Sequence, residues 1–257
     1  RLGFSDDHIH GPEGGARVLG AFVGGPQWER DQLMIYVESR LDDATKRIEL
    51  AARFDRALAL MLMQKCVARK VTHLLRQHPP ETVRAAAARW DAGARRLLAS
   101  VLQVHDLPDA AWGTATLPVN RGGLGLGSAE ATADAAFLGA TSHCIALGIG
   151  DRTPCLQSLL NNLAGATSGA NPNPAIVAAY QAFQRVESLT ARDPDQAEKL
   201  PAFAAIAVGA DKKSRRWQKR LTAVANRVHQ VELQDARQTG SARLTSRLTA
   251  FGTSWQN

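Results

Sequence analysis

Two glycine-rich segments constrain the fold of this 257-residue chain more than any other feature of its sequence. They are Arg17-Val-Leu-Gly-Ala-Phe-Val-Gly-Gly25 and Leu117-Pro-Val-Asn-Arg-Gly-Gly-Leu-Gly-Leu-Gly-Ser-Ala129. Glycine disfavours helix and permits tight turns, so neither segment is expected to be helical. The loop Gly11-Pro-Glu-Gly-Gly15 precedes the first segment and its apolar run Val18 to Val23, which predicts a hairpin or two short strands within residues 1–24.

Outside these segments the composition favours helix. Leucine and alanine are frequent, aromatic residues make up only 5% of the chain, and runs of β-branched residues are rare. We therefore expect a mainly α fold, a multi-helix bundle with a short N-terminal β-hairpin and a short glycine-rich extended segment near residues 116–127.

Apolar periodicity and helix breakers predict the individual helices. Val37, Leu41 and Ile48 recur at helical spacing after Pro26, a residue that the first turn of a helix tolerates. A more apolar stretch, residues 54–77, is expected to form the centre of the first core and to end before Pro79-Pro80. Further helices are predicted at residues 81–105, at 129–147 with Ser128 as the N-cap, at 175–191, at 195–208 and, rich in basic residues, at 211–236.

The cysteines and the hydropathy exclude several protein classes. Cys66, Cys144 and Cys155 are an odd set without Cys-x-x-Cys spacing, which argues against a disulfide framework and a zinc site. Cys66 lies in an apolar stretch and is expected to be a small core residue. No run approaches the roughly 18 apolar residues of a membrane span, so no membrane partner is expected. A reducing, intracellular location, nuclear or cytoplasmic, is predicted.

The positive charge is concentrated towards the C-terminal end. Of 31 Lys and Arg residues and 24 Asp and Glu residues, ten basic and three acidic ones follow residue 210, which accounts for the whole net charge of +7. The preceding 210 residues hold 21 of each sign. The ten cations lie within residues 211–247, which we call the basic segment. A basic surface is often merely solvated, but this asymmetry predicts a polyanionic partner, and Trp217 offers a stacking surface among the cations.

The order of the motifs resembles the region that follows the catalytic core in reverse transcriptases of non-LTR retrotransposons. Besides the two glycine segments, the resemblance rests on Val71-Thr-His-Leu-Leu-Arg-Gln-His-Pro-Pro-Glu81, Arg215-Arg-Trp-Gln-Lys-Arg-Leu221 and Ser241-Ala-Arg-Leu-Thr-Ser-Arg-Leu248, followed by Gly252-Thr-Ser-Trp255. It covers nearly the whole chain. It implies the end of the palm with a primer-grip hairpin at 1–25, a helical thumb-like domain at 26–164, a linker at 165–174 and a helical basic linker region at 175–257.

The family's functional residues carry over at matching positions. Arg17, Val18, Leu19 and Gly20 match the Leu-Gly motif of the primer grip, which sets the primer 3′ end against the active site. The resemblance thus implies that Arg17 and Gly20 contact the template-primer, an RNA or an RNA–DNA duplex. Such contacts go mainly to phosphates and sugars. In the basic segment, the expected nucleic-acid-binding residues are Lys212, Lys213, Arg215, Arg216, Trp217, Lys219 and Arg220.

The chain departs from the family in the residues that catalyse polymerisation. Polymerases hold two metal ions with carboxylates, which this family supplies in an aromatic-x-Asp-Asp turn. Phe4-Ser-Asp-Asp7 has this spacing, but only about ten residues separate it from the primer-grip strand, too few for the palm segment that normally intervenes, so it is not interpreted as that turn. Asp6-Asp7 and Asp42-Asp43 are interpreted as solvated surface, and His8 and His10 as loop residues without a third metal ligand. Because the chain opens on Arg1, we interpret it as a fragment. Because it lacks the metal-binding turn, we interpret it as non-catalytic and expect no catalytic residue, metal or cofactor.

Two alternatives to nucleic-acid binding remain open. One is a helical protein-interaction module whose basic tail meets an acidic partner, and the other is an independent enzyme, for which the sequence shows no converging ionisable groups. The segment Gly122-Gly-Leu-Gly-Leu-Gly127 lacks the G-x-G-x-x-G spacing of a dinucleotide-binding loop. It is therefore interpreted as a tight structural turn.

Overall fold

The computed structural model describes residues 14–149, 174–190, 203 and 217–239. This part of the chain is mainly helical with one antiparallel hairpin, as predicted. A π-helix, Met63–Val67, follows the second helix, and a 3₁₀ turn, Val119–Arg121, follows the fifth. The strands are β1 (Gly15–Val18) and β2 (Ala21–Gly24), and the helices are α1 (Pro26–Phe54), α2 (Arg56–Leu62), α3 (Thr72–Gln77), α4 (Pro80–Leu102), α5 (Asp109–Thr116), α6 (Ala129–Ile149), α7 (Pro174–Thr190) and α8 (Trp217–Thr239).

Two compact units divide the chain. The first includes residues 14–74 and 82–130, and the second includes residues 75–81 and the described residues between 131 and 238. The predicted linker, residues 165–174, lies outside the described residues except for Pro174, so the predicted domain division stays a prediction. Of the predicted helix at 195–208, only Phe203 is described, and it is helical.

The predicted N-terminal hairpin is confirmed. Strands β1 and β2 pair from Gly15 with Gly24 to Val18 with Ala21. The two turn residues between them, Leu19 and Gly20, both have positive φ, at 50° and 90°. Two-residue hairpin turns of this kind match the right-handed twist of the strands, and glycine adopts positive φ without strain.

Aromatic packing attaches the hairpin to α1. Phe22 is buried and makes edge-to-face contacts with Trp28 and Tyr36, at centroid distances of 6.3 and 6.0 Å. A side chain at Gly15 would overlap the Trp28 ring, so glycine at this position allows the ring to lie against the strand. The hairpin is thereby held against the first turns of α1.

Helix α1 buries one stripe along its length. It begins at Pro26, as predicted. Helix α4 approaches this stripe closely, since a side chain at Gly93 would overlap Leu41. The buried side chains recur at intervals of three and four residues, which place them on one face of the helix, and they are Leu33, Val37, Leu41, Ala44 and Ile48.

The predicted helix at 54–77 is divided into α2, the π-helix and α3. Asp55 adopts an extended conformation after α1, and its side chain accepts a hydrogen bond of 2.7 Å from the amide of Ala57 at the start of α2. As predicted, this stretch supplies core residues, namely Leu60, Met63, Val67, Val71, Leu74 and Leu75. Two of its apolar residues, Leu58 and Met61, are instead exposed.

The expectation that Cys66 is a core residue was wrong. Cys66 is exposed, although Met63 and Val67 in the same π-helix are buried. Because Met63 and Val67 face the core, the intervening Cys66 faces solvent. Apolar neighbours in the sequence therefore did not predict its burial.

The second glycine segment is a tight structural turn, as interpreted from the sequence. The amides of Leu124 and Gly125 donate to the carbonyls of Ala115 and Leu117, at 3.2 and 2.8 Å. A side chain at Gly123 would overlap the carbonyl of Leu117. No strand forms in residues 116–127, which are all described. Since the amides bond to the end of α5, they do not form an open phosphate-binding loop.

The carboxylate of Asp91 in α4 caps the start of α6. Its carboxylate accepts hydrogen bonds from the Ser128 hydroxyl at 2.6 Å and from the amides of Ala129 and Glu130 at 2.8 and 3.1 Å. Ser128 thus precedes α6 as predicted, but a residue from another helix accepts these first amides. The free amides of a helix start favour such an acceptor.

The second unit has its own apolar core and an ion-pair network. The Arg185 guanidinium lies 2.6 Å from Glu81 and 2.8 Å from Asp134, which is largely buried. Phe203 packs against Tyr180 and Phe183, with centroids at 5.1 and 5.5 Å. The buried core residues are Ala135, Phe137, Leu138, Ile176, Ala179, Phe183, Val186, Phe203 and Leu221.

We predict that Asp91→Ala lowers the free energy of unfolding by about 1–3 kcal/mol, because the substitution leaves the buried amide of Ala129 without this acceptor. Urea unfolding followed by circular dichroism measures the change. Asp42→Ala is the matched control, since Asp42 is exposed on α1, and it should change stability by no more than about 0.5 kcal/mol. Equal effects of the two substitutions would contradict the capping role.

The same site predicts a pH dependence of stability. Burial raises the pKa of the Asp91 carboxyl, against the opposing effect of its three hydrogen bonds. Because this pKa is raised in the folded state, the Asp91 carboxyl binds a proton more readily in the folded chain than in the unfolded chain. Its contribution to the free energy of unfolding is therefore present in acid and is lost as pH rises through the folded pKa. The stability of the wild type relative to Asp91→Asn should therefore fall with rising pH. A difference that grows with pH would contradict this sign.

Candidate nucleic-acid interface

Two arginines stack on aromatic rings beside the hairpin. The Arg17 guanidinium lies 5.4 Å from the Phe22 ring centroid and 5.2 Å from that of Tyr36. The Arg40 guanidinium lies 4.9 Å from the same Tyr36 ring. The negative ring face attracts both cations. We call Arg17, Tyr36, Arg40 and His73 the cationic cluster.

His73 completes the cluster. Its ring meets the Tyr36 ring edge-to-face, with centroids 5.8 Å apart. Burial lowers the pKa of His73, a hydrogen bond to the Lys70 backbone raises it, and the charges of Arg17 and Arg40 lower it further. The imidazole is therefore kept neutral to lower pH than usual, and its protonation adds a third positive charge to the cluster.

The cluster carries an excess of positive charge that an anion can neutralise. Arg17 is exposed and makes no ion pair with any residue in the described ranges. Arg40 has one acidic neighbour, Asp43, at 3.7 Å. Guanidinium groups donate in a planar fork that fits phosphate oxygens. Tyr36 on α1 thus contacts the guanidinium of Arg17 from β1 and that of Arg40 from its own helix, and each guanidinium can donate to an anion.

The hairpin presents apolar side chains next to these cations. Leu19 is 95% exposed at the turn, and Val18 and Val23 are 42% and 55% exposed. Gly20 has open space around its Cα, with no atom within 4 Å of where a Cβ would lie. A bare backbone here lets another molecule approach the turn closely. The structure thus brings Arg17 and Gly20, the two predicted hairpin residues, to one exposed hairpin.

The basic segment is described only within α8, residues 217–239. Lys219 and Arg220 are exposed in the first turn of this helix. Trp217 is the first residue of α8, but its side chain is not among those described. Four further predicted contacts, Lys212, Lys213, Arg215 and Arg216, lie outside the described residues. Their role stays a prediction.

The remaining candidate sites from the sequence are two pairs of acidic residues and two histidines. Asp42 is exposed and Asp43 pairs with Arg40 across the surface of α1, which confirms the solvated-surface interpretation for this pair. Asp6-Asp7, His8 and His10 lie outside the described residues. Within the described ranges, no three His, Cys, Asp or Glu side chains are grouped so that they could hold a metal ion. None of the described helices is long and apolar enough to cross a membrane.

Three residues of the cluster were not predicted from the sequence. Tyr36 and Arg40 are four residues apart on α1, a spacing that brings side chains together on a helix surface. This was an available local signal. The approach of Arg17 and His73 to Tyr36 depends instead on how the hairpin and α3 pack against α1, which no local pattern encodes.

We predict that Arg17→Gln raises the pKa of His73, because the substitution removes a positive charge that opposes protonation. An NMR titration of the His73 imidazole measures the shift. Arg53→Gln is the matched control, since Arg53 lies 17 residues beyond Tyr36 on α1, roughly 25 Å along the helix axis. An unchanged or lowered pKa in Arg17→Gln would contradict the proximity of the two groups.

Comparison of the chain with protein-family models, with curated proteins and with solved structures gives no match. Its resemblance to non-LTR reverse transcriptases therefore rests on the sequence motifs alone and stays a prediction.

Proposed function

We propose that this chain binds nucleic acid without catalysing a reaction on it. In this proposal it is the primer grip, thumb and basic linker of a non-LTR retrotransposon reverse transcriptase, without the metal-binding carboxylates. Its ligand is the template-primer, an RNA or an RNA–DNA duplex, bound through the hairpin, the thumb-like helices and the basic segment.

The proposal rests mainly on the surroundings of the Arg17 guanidinium. Its charge lies on an exposed hairpin, is held over two aromatic rings and is not matched by an acid among the described residues. A second cation on the same ring, Arg40, increases the local potential. Duplex phosphates supply closely spaced negative charges, and binding them releases condensed counterions.

The apolar turn supports the same ligand. Leu19 and Val18 lie exposed beside Arg17, and the backbone at Gly20 is open to close approach. A sugar-phosphate backbone presents both charged oxygens and apolar sugar faces. The hairpin can therefore contact the phosphates and sugars at one strand end without contacting the base edges that carry sequence information.

The alternative is a helical protein-interaction module whose basic tail meets an acidic partner. The exposed apolar side chains Leu19 and Val23 favour a protein contact as much as a sugar contact. The dependence of affinity on salt concentration distinguishes binding of a duplex from binding of an acidic protein. Counterion release from a duplex gives a steep linear fall of log affinity with log salt concentration, whereas an acidic protein carries no comparable condensed counterion layer.

We predict that the basic segment supplies most of the affinity for a duplex. The sextuple variant that replaces Lys212, Lys213, Arg215, Arg216, Lys219 and Arg220 by Gln should weaken binding with little regard to base sequence. It should also flatten the slope of log affinity against log salt by up to about six if all six touch phosphate. Fluorescence anisotropy of a labelled RNA–DNA duplex over a salt series measures both.

The matched control replaces six exposed cations of the first unit by Gln. This set has the same change in net charge, lies outside the first turns of α1, and comprises Lys46, Arg47, Arg53, Lys65, Arg69 and Arg96. The control should change the slope much less. An unchanged slope in the variant of the basic segment would mean that its cations are a solvated surface, and equal changes in both variants would mean that only net charge matters.

A further inference from the structure

A group of exposed apolar side chains surrounds the junction between α1 and α2. Phe54, the last residue of α1, is 83% exposed, and Leu50 is 55% exposed. On α2, Leu58 and Met61 are 39% and 36% exposed. We call these four residues the apolar patch. Large apolar side chains exposed together are uncommon on a monomeric soluble protein and mark interaction surfaces.

The spacing of the four residues places them in two pairs, one on each helix. Leu50 and Phe54 are four apart on α1, and Leu58 and Met61 are three apart on α2, so each pair shares one helix face. Only Asp55 separates the two helices. All four belong to the first unit. Aromatic and Met side chains are also the types enriched at protein interfaces.

Four exposed cations flank the patch, alongside the exposed acids Glu49 and Asp55. Arg47 and Arg53 lie three residues before and after Leu50, and Lys46 lies four before it, so all three are neighbours of Leu50 on the helix surface. Lys65 follows Met61 by four residues. These four cations are exposed, and none makes an ion pair within the part of the chain that the structure describes.

We propose that the apolar patch binds an amphipathic helix of a partner protein, with apolar residues on one face and acidic residues along both sides. The apolar face covers Phe54 and its neighbours, and the acidic residues pair with the flanking cations. A helix that supplies anchors at positions i, i+3 or i+4 and i+7 fits a patch of this spacing. This inference does not depend on the proposed binding of nucleic acid.

The charge of the surface favours an acidic amphipathic helix over a second copy of the chain or a nucleic-acid duplex. A second copy of the chain would bring the same cations against themselves in a symmetric contact, which is electrostatically unfavourable. A nucleic-acid duplex would satisfy the cations, but its sugar faces are small beside the four large apolar side chains of the patch. An acidic amphipathic helix satisfies both the apolar and the charged parts of the surface.

Two labelled model peptides test the proposal with the full chain. Both are helical with Leu and Phe on one face, and they carry either Glu or Lys on the flanks. The Glu peptide should bind at least tenfold more tightly than the Lys peptide in fluorescence anisotropy. Phe54→Ser should weaken binding of the Glu peptide at least tenfold, about 1.4 kcal/mol. The charge-reversed double variant Arg47→Glu/Arg53→Glu should prefer the Lys peptide.

The matched control is Ile35→Ser, since Ile35 is also an exposed apolar residue of α1, at 60%, but lies outside the patch. It should leave the affinity for the Glu peptide within twofold of the wild type. No saturable binding of the Glu peptide, or equal losses in Phe54→Ser and Ile35→Ser, would overturn the proposal. Self-association that Phe54→Ser abolishes in sedimentation velocity would overturn it in favour of a second copy.

Discussion

The buried stripe of α1 is the constraint on which the exposed surfaces of this helix depend. Leu33, Val37, Leu41, Ala44 and Ile48 fix the rotation of this 29-residue helix about its axis. With that rotation set, Tyr36 and Arg40 lie beside the hairpin at one end, and Leu50 and Phe54 lie exposed at the other. The cationic cluster and the apolar patch are therefore consequences of one hydrophobic pattern.

The cationic cluster holds like charges together. Arg17 and Arg40 repel each other, and their nearness also disfavours the protonation of His73. The Tyr36 ring offsets part of this cost, because its face attracts both guanidiniums. A bound phosphate would offset more of it.

Features encoded by local sequence were predictable. The hairpin followed from its glycines and apolar run, the start of α1 from Pro26, and the break between α3 and α4 from Pro79-Pro80. Each of these signals acts within a few residues, through backbone conformation or through the spacing of apolar side chains.

Features that depend on contacts distant in sequence were not predictable. Asp91 accepts from amides 38 and 39 residues further along the chain, and nothing near Asp91 identifies it as a cap. The cationic cluster joins Arg17, Tyr36 and His73 from three elements. The exposure of Cys66 depends on a local π-helix, whose altered register an apolar pattern does not reveal.

Photo-crosslinking tests most directly the central proposal, that the hairpin and the basic segment each contact nucleic acid. An RNA–DNA duplex with 4-thiouridine at defined positions would be irradiated with the full chain, and the crosslinked peptides would be mapped by mass spectrometry. The account predicts adducts within the hairpin and the first turns of α1, and also within residues 211–247. Crosslinks confined to other surfaces, or none under conditions where the duplex binds, would contradict it.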